Sequence, residues 1–243
     1  MAWLRECRHE DPMSLRRTLS ELAAFLRKPT VLRGQGLRAP GAWRLWTTLT
    51  VFQILVLCAV VVQAMLLWQK AFGLPSPDAF DGMSPLALWG GAVILAPVLE
   101  ELFFRAWLGG RPRALAALAV TVAGLAAFVA LGRGKPLIGL PILAATALAA
   151  CVLWWKLRRR EDIPPRFASA FPAIFYGTVL VFAALHLANY PQVSLLALPM
   201  VLPQAWTGVM LGYIRVRIGL VAAILTHVAS NAVVLSLALA TGT

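Results

Sequence analysis

Seven long apolar runs constrain this chain more than any other feature of its sequence. They fall at about 44–69, 86–108, 114–131, 137–157, 167–189, 193–213 and 218–240. A helix needs about twenty apolar residues to cross the hydrocarbon core of a bilayer. Inside that core only helices and closed barrels satisfy their own backbone. The chain is 60% hydrophobic and 13% charged, against roughly 45–50% and about 25% in soluble domains. The expected fold is therefore all-α, a polytopic bundle of about seven transmembrane helices over residues 44–243. The third run is the shortest, and its separation from the fourth rests on Gly132-Arg133-Gly134-Lys135-Pro136. Cys7, Cys58 and Cys151 are scattered and suggest neither a metal spacing nor a disulfide framework.

Residues 1–43 are polar and basic, so no secretory signal peptide is expected ahead of the first run. Within them Leu15, Leu19, Leu22, Ala23 and Leu26 recur at helical spacing, with Arg16, Arg17, Arg27 and Lys28 on other faces. Asp11 before Pro12 reads as the helix start. This predicts an amphipathic helix resting on an anionic leaflet, with a solvated helix as the alternative. The net charge of +12 follows from topology. With the N-terminus inside, eighteen of the 22 lysines and arginines are cytoplasmic, in residues 1–44, 111–113, 156–166 and 215–217. That is the positive-inside pattern, and it puts the C-terminus outside. Nucleic acid is not needed to explain the charge.

Of ten acidic residues only Glu100 and Glu101 lie within an apolar run. A carboxylate at membrane depth costs roughly 2.5–3.5 kcal/mol on insertion scales, and its default reading is functional. Glu101 and Arg105 are four residues apart and share a helical face, so they can neutralise each other. Glu100 is rotated by roughly 100° and lacks that arginine. Glu101 thus reads as the structural carboxylate and Glu100 as the working one. Pro97 removes a helical hydrogen bond, expected at the Val93 carbonyl, and should kink this helix.

Two histidines also lie in apolar runs, His186 and His227. Phe182 and His186 share a face, as do His227 and Asn231. Glu100, two histidines and an asparagine on three helices supply a general base, its partner and oxyanion donors. Glu100 and His227 sit at matching depth, whereas His186 falls near the far end of its run. That mismatch leaves a late start, a tilt or a break near Pro172 as options. Several hydrolase chemistries lack their residues: there is no His-Glu-x-x-His motif, no aspartate in any run and no Gly-x-Ser-x-Gly elbow. Zinc held by His186, His227 and Glu100 is chemically possible, but the spacing is unlike a zinc site. The expected cofactor is none.

Glu100-Glu101-x-x-x-Arg105, Phe182-x-x-x-His186 and His227-x-x-x-Asn231, in that order, resemble the three motifs of the CAAX-protease and bacteriocin-processing (Abi) family. The resemblance covers roughly residues 86–235. It implies a glutamate-type intramembrane endopeptidase in a bacterial plasma membrane, acting on a membrane-anchored or lipidated protein or peptide. It implies that Glu100 activates water with help from His186, that His227 and Asn231 stabilise the oxyanion, and that Glu101, Arg105 and Phe182 fill the remaining motif positions. Two other classes fit the residues: a proton-coupled transporter, for which no internal repeat is evident, and a bacteriocin-immunity or protein-binding membrane protein.

Overall fold

The computed structural model describes residues 14–241, and all regular structure among them is helical. Helix α1 is Leu15–Arg27, capped by Ser14, whose hydroxyl accepts the Arg17 N–H at 3.3 Å. The start expected at Asp11-Pro12 lies outside the described residues. Seven membrane-length helices come after it: α2 Ala42–Phe72, α3 Pro85–Phe104, α4 Pro112–Gly132, α5 Pro136–Lys156, α6 Pro165–Asn189, α7 Leu195–Arg217 and α8 Leu220–Ala240. Four of these begin on a proline, Pro85, Pro112, Pro136 and Pro165. At a first helical position the missing N–H costs nothing and the fixed φ suits the helix. These prolines set boundaries that hydropathy alone leaves loose, and the observed helices differ from the expected ones by only a few residues. The polytopic bundle is as the apolar runs predict, and the chain is an integral membrane protein.

The core is built on α7, which buries Met210, Leu211, Tyr213, Ile214 and Val216 among others. Gly208 and Gly212, one turn apart, let α6 come close. A Cβ on Gly212 would stand 2.7 Å from the Phe175 ring, and one on Gly208 would stand 3.3 Å from Val179 and 3.4 Å from Phe182. Small residues at this spacing are the usual device for close helix approach in lipid. Residues 175, 179 and 182 thereby form one stripe of α6 laid against α7, and His186 continues it. Helices α4 and α5 pack chiefly on each other, with Gly132 and Gly139 nearly in contact at their turn.

Part of the apolar side of α1 is turned into the bundle, while Leu15 at its start stays exposed. Leu22 and Phe25 are buried in the protein's own core, where the Phe25 ring stands 5.2 Å from Phe175 and 5.0 Å from Tyr213. The Tyr176 hydroxyl donates to the Leu26 carbonyl. The bundle offers an aromatic groove at this end, and burying Phe25 there removes its apolar surface from water.

Hydrogen bonds gather the basic segments at one end of the bundle. Gln35 and Gly36 donate backbone N–H groups to the carbonyls of Arg217 and Ile218. Arg217 pairs with Glu21 at 3.0 Å, and Arg113 Nη1 donates to the Arg158 carbonyl at 3.2 Å. The loop carrying Asp78 and Asp81 joins the other end, where the Asp78 N–H donates to the Asn189 carbonyl. The basic end is expected to face the cytoplasm. In a variant freed of its native cysteines, an impermeant thiol reagent added outside cells should label Asp78→Cys and miss Arg159→Cys. The reverse pattern would invert the topology.

Candidate active site

The site begins with a defect in α3. Residues Leu88–Leu95 adopt π-helical register, and the Ala96 N–H donates to Gly91, five residues back. In that register the Ala92 carbonyl would accept from residue 97, which is proline and has no N–H. Its orphaned carbonyl is met from α8, where Asn231 Nδ2 donates to it at 2.9 Å. The lost bond expected at Val93 therefore falls one residue earlier, because the π turn shifts the register. Buried carbonyls need partners, and here the partner is a motif side chain. Such π turns insert one extra residue and re-aim the helix beyond them. Glu100-Glu101 lies on that re-aimed segment.

Glu101 is fully buried, as is Arg105. Arg105 Nη1 donates to Glu101 Oε1 at 2.6 Å, and His227 Nδ1 lies 2.9 Å from the same oxygen. A carboxylate only accepts, so Nδ1 carries the hydrogen. The guanidinium lies over Phe182, whose ring centroid is 4.0 Å from Arg105 Cζ. A cation over an aromatic face is stabilised by the ring quadrupole. That gives Phe182 a physical reason to stand one turn before His186. The 4.7 Å separation of the Phe182 and His186 rings fixes the second imidazole as well. The i,i+4 reading of Glu101 and Arg105 holds, with His227 as a third member from another helix.

Glu100 is turned aside from Glu101 and stays partly accessible, with 28% of its side chain exposed against none of Glu101. Its two oxygens are flanked by imidazoles: His186 Nε2 is 4.0 Å from Oε1 and His227 Nε2 is 3.7 Å from Oε2. His186 Nδ1 is 2.8 Å from the Phe182 carbonyl and donates to it, which turns Nε2 toward Glu100. Helix α6 runs unbroken through Pro172 to Leu185, so the break near Pro172 is not what brings His186 to Glu100. The α-helix ends at Leu185, and His186 opens a 3₁₀ turn.

Support for the site comes from a helix outside the three motifs. Gln53 of α2 is fully buried. Its Oε1 accepts from Ser230 at 2.8 Å, and its Nε2 donates to Thr207 at 3.4 Å. Thr50 and Thr226 hydroxyls meet at 2.7 Å, and Trp46 Nε1 donates to Thr226 at 2.9 Å. Thr226 and Ser230 bracket His227, so this ladder holds the motif face of α8. The signal in the sequence is weak, since Gln53 is one of three glutamines in that run, with Gln63 and Gln69, and is set apart only by following Thr50 by three residues. Gln53→Leu should strand the Thr207 hydroxyl, at a cost of about 1–3 kcal/mol for an unsatisfied group, while Ser230 keeps its bond to the Thr226 carbonyl. Thermal unfolding in detergent checks this; an unchanged midpoint would show the ladder to be idle.

Among the described residues, no group of three or more His, Cys, Asp or Glu has the arrangement of a metal site. The seven residues singled out from the sequence all converge here: Glu100, Glu101, Arg105, Phe182, His186, His227 and Asn231. No curated protein and no solved structure matches the chain. A family model does, over residues 82–233, the one described as type II CAAX prenyl endopeptidase Rce1-like. That match spans more than half of the chain and takes in every helix from which a motif residue comes. The chain belongs to the Rce1-like CAAX endopeptidase family of intramembrane proteases.

Proposed function

We propose that this protein hydrolyses a peptide bond beside a membrane-anchored or lipidated segment, with Glu100 as the base. One observation carries the reading: both oxygens of a partly accessible carboxylate face imidazole Nε2 atoms whose partner nitrogens are already engaged. His186 Nε2 and Glu100 Oε1 are both acceptors in the neutral imidazole. A group that bridges them must donate two hydrogens, and at a separation of 4.0 Å one water molecule seated beside the pair reaches both. That water attacks the scissile carbonyl carbon and its proton passes to Glu100. The oxyanion accepts hydrogen bonds from His227 Nε2–H and from the Asn231 hydrogen not used on Ala92. Glu100 then returns the proton to the departing nitrogen, so the products are an acid and an amine.

For His227 to donate from Nε2 it must be imidazolium, since Nδ1–H already points at Glu101. The site acts within a bacterial plasma membrane, with the basic end cytoplasmic.

Glu100→Gln should abolish cleavage of a library of C-terminally anchored peptides and leave a folded, extractable protein. Cleavage at the parent rate by that variant would remove Glu100 from the chemistry. Asn231→Ala should lower the rate by about 10²–10³ if it loses an oxyanion donor. It should also lower stability by about 1–3 kcal/mol, through the stranded Ala92 carbonyl.

We further propose that no metal ion is required, because base, water holder and oxyanion donors are all side chains. Exhaustive chelation should leave turnover unchanged, and elemental analysis should find no stoichiometric zinc. Stoichiometric zinc with chelator-sensitive turnover that zinc restores would make His186, His227 and Glu100 ligands instead.

A further inference from the structure

A second polar site lies at the basic end of the bundle, away from Glu100. A cavity of about 180 Å³ is lined by Arg33, Arg111, Arg113 and Arg215, with Glu161 the lone carboxylate among them. Among the described residues none of the four arginines is in a salt bridge. Arg113 Nη1 donates to the Arg158 carbonyl, and its buried Nε has no hydrogen-bond partner among the described residues. Arg215 donates from Nε to the Arg105 carbonyl and from Nη2 to the Ala106 carbonyl, both at 2.8 Å. Its Nη1 is left over. Gly109 makes room for that guanidinium, since a Cβ there would stand 3.2 Å from Nη2.

We propose that this cavity binds a phosphate group, supplied by the headgroup of an anionic phospholipid. Four guanidinium groups facing one carboxylate repel one another, and an anion among them removes that repulsion. Arginine forks match phosphate oxygens in geometry as well as charge. A cavity of about 150 Å³ admits a benzene-sized guest, so the space suits a phosphate ester. The lining residues come from the start of α4, the ends of α5 and α7, and the loops before α2, α4, α6 and α8. Those are the places where spans stop and headgroups begin. Basic pockets between spans on the cytoplasmic side are where such headgroups bind. The occupant would also touch Arg215, which holds the carbonyl of Arg105, so binding would stiffen the turn just beyond Glu100-Glu101.

The test measures binding and does not depend on proteolytic activity. The full chain is placed in nanodiscs of phosphatidylcholine alone or with added phosphatidylglycerol, and its thermal midpoint is read by tryptophan fluorescence. Phosphatidylglycerol should raise the midpoint by several degrees. The variant Arg111→Gln/Arg113→Gln should lose most of that rise, while Arg159→Gln/Arg160→Gln, on the same face but outside the cavity, should keep it. Arg33→Gln, in an exposed loop with no bonded partner among the described residues, should weaken the rise in the same direction if the double variant does not fold. In detergent, inorganic phosphate against chloride at matched ionic strength separates the sources. A phosphate effect lost in the cavity variant means that free phosphate also enters; no effect means that the lipid headgroup is required. An equal rise in cavity and control variants, or no rise with either probe, would overturn the site.

Discussion

The bond on which the rest depends is the one between Glu101 and Arg105. Two opposite charges, each almost wholly withdrawn from solvent, meet at 2.6 Å inside a bundle of apolar helices. A buried pair of this kind offers little net stability over an apolar pair, but breaking it is expensive. Its value lies in what it fixes. Glu101 Oε1 also holds His227 Nδ1, and Arg105 lies over Phe182, which packs on His186. One ion pair thus orients an imidazole on α8 directly and one on α6 through a ring. Glu100, next to Glu101 in sequence and turned away from it, is left open between the two.

The helices that surround the pair are shaped to hold it. Gly208 and Gly212 bring α6 onto α7, which sets the Phe182 ring against Arg105. Pro97 and the π turn before it free the Ala92 carbonyl, and Asn231 meets it. Asn231 therefore ties α8 to α3 while keeping a second hydrogen for the site. The ladder of Gln53, Thr50 and Trp46 ties the same face of α8 to α2. That helix lies outside residues 82–233, the part of the chain matched to the family. The motif residues are consequently a subset of what positions the site.

Much of this was legible in the sequence, and the reason is local geometry. Hydropathy over twenty residues marks a span, and four-residue spacing within a span marks a shared face. Glu101 with Arg105, Phe182 with His186 and His227 with Asn231 all come from those two rules. Contacts between helices do not. No spacing says that Glu101 rather than Glu100 takes His227, because that depends on the phase the π turn gives to α3. The seating of α1 in the core needed the Phe175 and Tyr213 groove, which belongs to two distant segments. The four cavity arginines read separately as topology signals; only the fold brings them to one place.

The division of labour between the two carboxylates is tested most directly by a double-mutant cycle on the ion pair. Glu101→Gln and Arg105→Met are compared with the double variant by reversible unfolding in detergent. Glu101→Gln strands the Arg105 charge and should cost about 3–5 kcal/mol; Arg105→Met leaves Glu101 with His227 alone and should cost less, and the double change should recover much of the Glu101→Gln loss. Simple additivity of the two single losses would contradict the account, because it would mean that Glu101 and Arg105 do not hold each other in the folded protein.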